Sequence, residues 1–521
     1  MDLFAAIDVG SNSVRLQVAA FISGFQHQVV HEERAVTRLG EAVFNGGDLS
    51  ERAIKETVAV LKAFREKAEE YSVLALRAVG TSALRDAQNG GRFLKAARRE
   101  AGVEVEVISG REEARLIHLG VISRLANPDE RLLAIDIGGG SAEFTASRER
   151  RIEASVTLPL GAVRLTELFL ESDPPAAGEI ERLEEYVRNK LQRVRKALEG
   201  AGAWPLQRHG VIGTSGTMAA LARAVNRLDA ARSEVGGVSF ESSEAEALYR
   251  RLRGMDLPAR RALPGINARR AEIITAGAAV VTLAMRELGF QAITYSDAGL
   301  RDGVLVELAT RHKGDPAGTQ FLNSERLDAV RALAERYAYR RGHSEKVARL
   351  ARQLFHQLQP LHGLADSYAE LLDAAALLHD IGSYVNASKP HKHTWYLIFH
   401  SELPGYSERE RALVAAVARY HRGSLPSESH GAFRALSRRE QAAVEKLAPL
   451  LRLADACDSG RRAVHSLVTS HKSSRVEVTL LASEAAELEA WAAARCAPLF
   501  RKAFDAKLDI HVQQMKPVAT P

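Results

Sequence analysis

The sequence predicts an α/β protein with two similar domains around a cleft, followed by an all-helical region and a small tail. An internal repeat, an alternation of strand and helix patterns up to about residue 312, and the near absence of strand patterns beyond it support this prediction. A chain of 521 residues also exceeds what one hydrophobic core usually organises. We therefore expect four domains, at residues 1–126, 127–312, 320–470 and 471–521.

The repeat consists of two glycine-rich turns, each of which follows an apolar run ending in Asp. Residues 6–15 read AIDVGSNSVR and residues 134–143 read AIDIGGGSAE. Each copy has the pattern of a strand, a tight turn and a second strand. Such a repeat predicts two domains that open with the same hairpin and turn their loops towards a shared cleft.

The remaining patterns complete two α/β domains and then change character. Residues 313–319 have the composition of a linker, and amphipathic helices are predicted from there to about Ser470. The tail is predicted to be β-α-β, with strands at 476–481 and 508–512. In the first two domains we predict helices at 51–70, 112–125 and 177–198, strands at 73–79, 103–108 and 292–295, and a strand and turn at 210–217.

Three glycine-rich turns have the composition of phosphate-binding loops. They begin at Gly10, Gly138 and Gly213, and each combines glycine with hydroxyl or amide side chains. Small residues let backbone N–H groups approach phosphate closely. One such turn alone is more often only a turn, but three copies favour phosphate binding. Neither the GxxxxGK[ST] nor the GxGxxG pattern occurs, so the common nucleotide-binding folds are not supported.

Carboxylates at the edges of these turns indicate a metal ion. Asp8, Asp136 and Glu143 would repel a phosphorylated substrate unless a hard cation such as Mg²⁺ intervened. A capping role at a turn is the alternative for Asp8. Glu112 and Glu113, at the start of a predicted helix, are candidates for activating water, although carboxylates there also stabilise the helix dipole.

Five segments, in the same order, resemble the exopolyphosphatase/guanosine pentaphosphate phosphohydrolase family. They are IDVGSNS from Ile7, GTSALR from Gly80, ISGREEARL from Ile108, IDIGGGSAE from Ile135 and GTSGT from Gly213. The resemblance implies two domains of the actin-like (ribonuclease H-like) superfold. It also implies that Glu113 activates water and that Asp136 and Glu143 hold Mg²⁺. It further implies phosphate binding by Asn12, Ser13, Arg85, Gly138, Gly139, Gly140, Ser141, Gly213, Ser215, Gly216 and Thr217.

The helical region contains a second set of possible metal ligands. His343, the pair His379-Asp380, and Asp455 follow the order H…HD…D and resemble an HD-type metal phosphohydrolase domain. Imidazole and carboxylate groups are suitable ligands for a hydrolytic divalent metal. A second divalent metal ion is therefore one reading. The other is that the helical fold persists only as a platform for a polyanion.

Charge and cysteine content bear on partners and compartment. Residues 321–521 carry 28 Lys and Arg against 22 Asp and Glu, which accounts for the whole net charge of +6 and suits a polyanionic ligand. Cys457 and Cys496 lack the spacing of a disulfide framework, and no signal or membrane-spanning segment is recognised, so we expect a cytoplasmic protein. We expect no membrane and no specific nucleic acid as partners. A homodimer is an expectation from the family.

The main functional prediction is an exopolyphosphatase that releases terminal phosphates by Mg²⁺-assisted in-line attack of water. Guanosine pentaphosphate 5′-phosphohydrolase activity is the alternative within the same family. The alternatives from other classes are an actin-like ATPase or kinase, and a catalytically inactive polyanion-binding signalling protein.

Overall fold

The computed structural model describes residues 2–41, 43–125, 127, 130–206, 209–228, 236–461, 463–472 and 474–514. The chain forms two compact units, Met1–Phe321 and Leu322–Pro521. The four domain boundaries expected from sequence stay a prediction. In the part of the chain that the structure describes, no helix has the length and apolar character needed to cross a membrane.

Unit 1 begins with a five-stranded sheet in the order β3-β2-β1-β4-β5. Strand β1 is buried along nearly its whole length and lies in the centre, antiparallel to β2 and parallel to β4. A near-continuous apolar run is typical of such a central strand. The strands are β1 Leu3–Val9, β2 Val14–Ser23, β3 Gln26–Ala35, β4 Ala75–Gly80 and β5 Val105–Val107, and the helices are α1 Glu51–Glu70, α2 Ser82–Asp86, α3 Gly90–Ala96 and α4 Gly110–Arg124.

The second sheet of unit 1 has six strands in the order β10-β11-β9-β6-β7-β8. Its strands are β6 Leu132–Ile137, β7 Ala142–Arg148, β8 Arg151–Leu158, β9 Gly210–Thr214, β10 Ser239–Glu241 and β11 Ala292–Tyr295. The helices of this half are α5 Ala162–Phe169, α6 Ala177–Gly200, α7 Ser215–Val225, α8 Ser242–Leu252, α9 Leu257–Arg261, α10 Ile274–Leu288 and α11 Leu300–Lys313.

The two sheets confirm the internal repeat. In each, an antiparallel three-strand meander (β1-β2-β3 and β6-β7-β8) leads to parallel strands on its other side. The first turn of each meander closes with the same backbone hydrogen bond, from Gly10 N to Ser13 O at 3.1 Å and from Gly138 N to Ser141 O at 3.0 Å. The two domains are therefore α/β and built alike, as the repeat predicts.

Helices α4 and α11 cross at very short range. A Cβ atom on Gly303 would stand 1.8 Å from the carbonyl oxygen of Leu116, so only glycine fits at this crossing. Beside it, the buried Glu307 carboxylate lies 2.6 Å from Arg115 and 3.1 Å from Arg77. A buried carboxylate needs such partners because its desolvation is costly. Helix α11, the last element of this half, thus fixes α4 in place.

Unit 2 is mainly helical and ends in a three-stranded sheet in the order β12-β13-β14. Helix α12 begins at Pro316, so much of the segment predicted to be a linker is helical. The helices are α12 Pro316–Arg336, α13 Arg341–Gln357, α14 Gln359–His362, α15 Ser367–Leu378, α16 Pro390–His400, α17 Glu408–Tyr420, α18 Gly431–Arg434, α19 Arg438–Ala456, α20 Glu487–Ala494 and α21 Ala497–Phe504.

The sequence prediction misses one strand of unit 2. Strand β12 Val464–Lys472 includes residues 464–470, which the sequence predicts to be helical, and it pairs antiparallel with β13 Arg475–Ala482. Strand β13 in turn runs parallel to β14 Lys507–Gln514, which confirms the predicted β-α-β tail. Only two large apolar side chains of β12, Val464 and Leu467, are buried, so its sequence carries little of the alternation typical of a strand.

Candidate active site

A cavity of about 930 Å³ lies where the loops of the two sheets of unit 1 meet. A site of this size accommodates a nucleotide-sized ligand. Ten residues that the sequence singles out line it together: Asp8, Asn12, Ser13, Glu113, Asp136, Gly138, Gly139, Ser141, Ser215 and Gly216.

The two repeated loops touch each other at one end of this cavity. The hydroxyl oxygens of Ser11 and Ser82 are 3.0 Å apart, and a Cβ atom on Gly139 would stand 3.0 Å from the Cβ of Ser11. A Cβ atom on Gly140 would come within 2.4 Å of the Ser82 hydroxyl and of the Phe44 ring. Close packing of the loop against Ser82 and Phe44 therefore requires glycine at position 140.

The third loop joins strand β9 to helix α7 and is tied to the second repeat. Ser215 has a φ of 87°, and its hydroxyl donates to the carbonyl of Ile137 at 2.9 Å. Thr214 donates to the Asp136 carboxylate at 2.5 Å. A non-glycine residue with positive φ is uncommon and is often found at functional sites. The N-terminus of α7 thereby faces the cavity beside Asp136, where it favours an anion.

Two predicted phosphate-binding residues of this loop have other neighbours. A Cβ atom on Gly213 would stand 2.8 Å from Ile293, so this glycine allows β9 to pack beside β11. Thr217 accepts a hydrogen bond from the guanidinium of Arg270 at 3.4 Å. The same guanidinium would meet a Cβ atom on Gly216 at 2.0 Å. Gly216 therefore makes room for an arginine that lines the cavity.

Glu113 and Glu112 are adjacent on α4 but face different surroundings. Glu113 lines the cavity, and its carboxylate accepts a hydrogen bond from Arg85 at 2.7 Å. Glu112 instead forms a buried ion pair with Arg115 at 2.8 Å, in the cluster that joins α4 to α11. Of the two candidates for activating water, Glu113 alone faces the cavity. Arg85, predicted to bind phosphate, holds Glu113 and the carbonyl of Ile108.

Burial raises the pKa of Glu113 to about 7, because the Arg85 guanidinium only partly offsets desolvation and the carboxylates of Asp136 and Asp8 add repulsion. Burial likewise raises the pKa of Asp136 to about 6. A carboxyl group with a pKa near neutrality is suited to accept a proton at physiological pH.

The carboxylates of the second repeat fit a metal ion better than those of the first. Asp136 faces Glu143 across strands β6 and β7, whereas Asp8 faces Arg15 across β1 and β2. Directly opposite residues project to the same face of a sheet. Glu143 is 1% exposed, and neither of its oxygens meets hydrogen-bond geometry with a partner in the described residues.

Burial and two neighbouring carboxylates, Glu113 and Asp136, raise the pKa of Glu143 well above its usual value. Arg85 and the Ser141 side chain only partly oppose this rise. Two carboxylates side by side in a desolvated site are costly unless a cation neutralises the pair. Asp136 and Glu143 therefore fit Mg²⁺. Burial also raises the pKa of Asp8, but Arg15 and Arg301 oppose that effect.

A cluster of arginines lines the cavity beside the glycine-rich loops. Arg15, Arg34, Arg270 and Arg301 all line it. Burial, together with the neighbouring Arg15 and Arg34, lowers the pKa of Arg270 to about 9. Partial desolvation and the neighbouring Arg15 also lower the pKa of Arg34 to about 10, although the residue is exposed to solvent. Guanidinium groups that depress one another's pKa repel, and an anion with several charges would relieve this repulsion.

In unit 2, three of the four predicted metal ligands meet. One ligand atom each from His343, His379 and Asp455 lies within 4.8 Å of the other two. Asp380 lies outside this group: one oxygen accepts from Ser383 at 2.7 Å and the other is 3.4 Å from Arg340.

The two domains of unit 1 have an actin-like architecture, with glycine-rich loops and carboxylates around their cavity. The chain belongs to the Ppx/GppA phosphatase family: the sequence pattern of that family matches residues 18–312, and the pattern described as Ppx/GppA phosphatase, domain III, matches residues 326–492.

Relatives with known structures or names agree with this assignment. The Ppx/GppA enzyme of Aquifex aeolicus is 31% identical, and the match covers 59% of this chain and 99% of that one with a TM-score of 0.51. An exopolyphosphatase from Cytophaga hutchinsonii is 27% identical over 61% of this chain and all of that one, with a TM-score of 0.53. A guanosine-5′-triphosphate,3′-diphosphate pyrophosphatase from Photobacterium profundum is 28% identical over 456 residues, 87% of this chain and 86% of that protein.

Proposed function

We propose that this phosphatase removes the terminal 5′ phosphate of guanosine pentaphosphate. The observation that carries the proposal is the position of Glu113, which faces the cavity together with the phosphate loops and holds a carboxylate with a pKa near neutrality. The match to a guanosine-5′-triphosphate,3′-diphosphate pyrophosphatase extends over 87% of the chain and supports this substrate above the exopolyphosphatase reading.

The residues of the cavity have distinct parts in the proposed reaction. Backbone N–H groups of the loops at Gly10 and Gly138 hold the terminal phosphate, because small residues there admit close approach. Glu113 accepts a proton from the attacking water, while its hydrogen bond to Arg85 fixes the orientation of the carboxylate. The oxygen of that water bonds to the terminal phosphorus, and the bond to the bridging oxygen of the leaving diphosphate breaks.

Asp136 and Glu143 would hold Mg²⁺, which when bound neutralises charge on the phosphate oxygens. The protein's own contribution is to keep Glu143 buried and Asp136 half-buried, on the same face of adjacent strands. The short hydrogen bond from Thr214 fixes the Asp136 side chain, so that the pair is preorganised.

The arginine cluster supports a substrate with phosphate groups at two places. Guanosine pentaphosphate carries a triphosphate and a separate diphosphate, and the cavity is lined both by the glycine-rich loops and by Arg15, Arg34 and Arg270. Arginine forks bind phosphate with geometric specificity. We assign the loops to the 5′ triphosphate and the cluster to the 3′ diphosphate.

Polyphosphate is the second candidate substrate. The same succession of loops and arginines would hold consecutive phosphates of a linear chain, and an exopolyphosphatase structure matches this chain over its own full length. The catalytic parts would be unchanged. The two candidates differ in whether the arginines hold an internal phosphate or a second phosphate group of a nucleotide.

The test is phosphate release with Mg²⁺ from guanosine pentaphosphate, long-chain polyphosphate and ATP at equal phosphate concentration. We expect the highest kcat/KM with guanosine pentaphosphate. A preference for polyphosphate would reverse the substrate assignment but keep the chemistry. Turnover of ATP alone, or of none of the three, would refute the proposed function.

A further inference from the structure

Unit 2 contains a cluster of side chains that the reaction proposed for unit 1 does not use. His343 lies in the first turn of α13, His379 directly follows α15, and Asp455 lies in the last turn of α19. Three separate helices thus bring two imidazoles and a carboxylate together. From this cluster we infer that unit 2 binds one divalent transition-metal ion through His343, His379 and Asp455.

The spacing of the three ligand atoms is the first argument. Nε2 of His343 lies 3.3 Å from Nε2 of His379, and Oδ1 of Asp455 lies 3.3 Å from the first nitrogen and 3.6 Å from the second. A point equidistant from three atoms so spaced is about 2.0 Å from each, the length of a Zn–N or Zn–O bond. The separations also match those of three ligands at the corners of a tetrahedron.

The hydrogen bonds of the two imidazoles are the second argument. Nδ1 of His379 is 2.6 Å from the carbonyl oxygen of Ala376, which can only accept, so Nδ1 carries the proton and Nε2 presents a lone pair. Nδ1 of His343 is 2.7 Å from the Asp458 carboxylate. Metal-binding histidines typically donate their other ring N–H to a carbonyl or a carboxylate in this way.

Asp458 is itself fixed, which makes the support of His343 rigid. Its side chain is 1% exposed, and its second oxygen lies 2.7 Å from the ammonium of Lys346. The lysine balances the charge of this carboxylate, so Asp458 can orient His343 without serving as a ligand. A buried His–Asp–Lys chain behind a ligand is costly to build. It is therefore a strong sign that the orientation of His343 matters.

The donor set indicates which ion binds. Two imidazoles and one carboxylate suit Zn²⁺, Mn²⁺, Fe²⁺, Co²⁺ or Ni²⁺, whereas Mg²⁺ and Ca²⁺ prefer oxygen ligands. Only three protein ligands converge among the described residues, and the side chains of His343 and Asp455 keep 10% and 19% exposure. The ion would thus retain a position for water or an anion. A site with an open position is the arrangement found in catalytic rather than purely structural metal centres.

The test uses the full-length chain, purified without a metal-affinity tag, stripped with a chelator and titrated with Co²⁺. We expect about one Co²⁺ per chain to remain after gel filtration, with visible absorption bands of tetrahedral intensity, and excess Mg²⁺ not to displace it. Asp455→Asn should lose this ion. His356→Ala, an exposed histidine on the same helix as His343, should keep it and is the matched control.

Two further variants keep the result decisive. Asp458→Asn should weaken Co²⁺ binding by about 10- to 100-fold, since it removes only the support of His343. Glu143→Gln should retain the ion, because Glu143 belongs to unit 1. Wild-type chain that holds no more Co²⁺ than Asp455→Asn, or the same affinity in Asp458→Asn as in the wild type, would overturn the inference. If Asp455→Asn fails to fold by circular dichroism, wild-type stoichiometry and Asp458→Asn decide.

Discussion

Replacing Glu113 by Gln should separate activity from stability. Burial raises the pKa of Glu113 from 4.5 to about 7, so keeping this carboxylate ionised costs the folded state about 3 kcal/mol at pH 8. Because the pKa of Glu113 is higher in the folded than in the unfolded state, the free energy of unfolding of the wild type falls as the pH rises from 4.5 through 7. Gln does not titrate and can still accept the hydrogen bond from Arg85.

We therefore expect Glu113→Gln to be more stable than the wild type by up to about 3 kcal/mol at pH 8, and by less than about 1 kcal/mol at pH 5. If unit 1 unfolds as one cooperative unit, a gain of about 3 kcal/mol in the free energy of unfolding at pH 8 raises Tm by about 4 °C. Calorimetry in EDTA measures it, because bound Mg²⁺ would stabilise the wild-type carboxylates. At the same time kcat should fall by about 10²- to 10⁴-fold.

Glu112→Gln is the matched control for this experiment. It removes a buried partner of Arg115 without touching the cavity, so it should destabilise the protein by about 1–3 kcal/mol. A Glu113→Gln variant that is less stable than the wild type at pH 8 would refute the electrostatic reasoning. The loss of a general base is expected to leave about a hundredth of wild-type kcat or less. A Glu113→Gln variant that retains more than about a tenth of wild-type kcat would refute the catalytic role.

Three further outcomes are expected. The acid limb of the pH–rate profile should lie near pH 7 at limiting Mg²⁺ and move to lower pH as the Mg²⁺ concentration is raised. The reason is that Glu113 acts in its deprotonated form and a nearby cation favours that form. An acid limb that does not depend on Mg²⁺ would contradict this. Arg270→Gln should raise KM for guanosine pentaphosphate about tenfold or more with a smaller change in kcat, whereas the exposed Arg261→Gln should leave steady-state kinetics unchanged. Gly161→Ala would place a Cβ atom 2.3 Å from the backbone of the glycine-rich loop at Gly138–Gly140, so a lower Tm and slower phosphate release are expected. A variant with wild-type Tm and wild-type phosphate release would contradict this.

The sequence predicted the repeated part of the site well because a local pattern carries it. Strand, Asp, glycine turn and strand occupy contiguous residues, so the hairpins and the facing loops could be read directly. The comparison of residues 6–15 with residues 134–143 also contains a difference that the sequence analysis did not use. Position 15 is Arg where the second copy has Glu143, and in the structure each lies opposite its Asp on the neighbouring strand. In the first copy the Arg15 guanidinium balances the charge of Asp8, whereas in the second copy Asp136 and Glu143 are both acidic and fit a metal ion.

The arginine cluster could not be predicted in the same way. Arg15, Arg34, Arg270 and Arg301 come from distant parts of the chain, and no spacing links them before the fold brings them to one cavity. Only Arg15 adjoins a recognised motif. Asp380 was wrongly grouped with the metal ligands because it adjoins His379 in the sequence. In the structure its carboxylate contacts Ser383 and Arg340 instead.

The tight crossing of α4 and α11 bears on how this enzyme comes into being on the ribosome. Helix α4 carries Glu113, yet Gly303 and Glu307, which fix α4, belong to α11, near the C-terminal end of unit 1. A nascent chain can form both glycine loops long before Glu307 has left the exit tunnel. Hydrolytic competence should then appear only after α11 has emerged and packed against α4, because a domain generally folds as a unit.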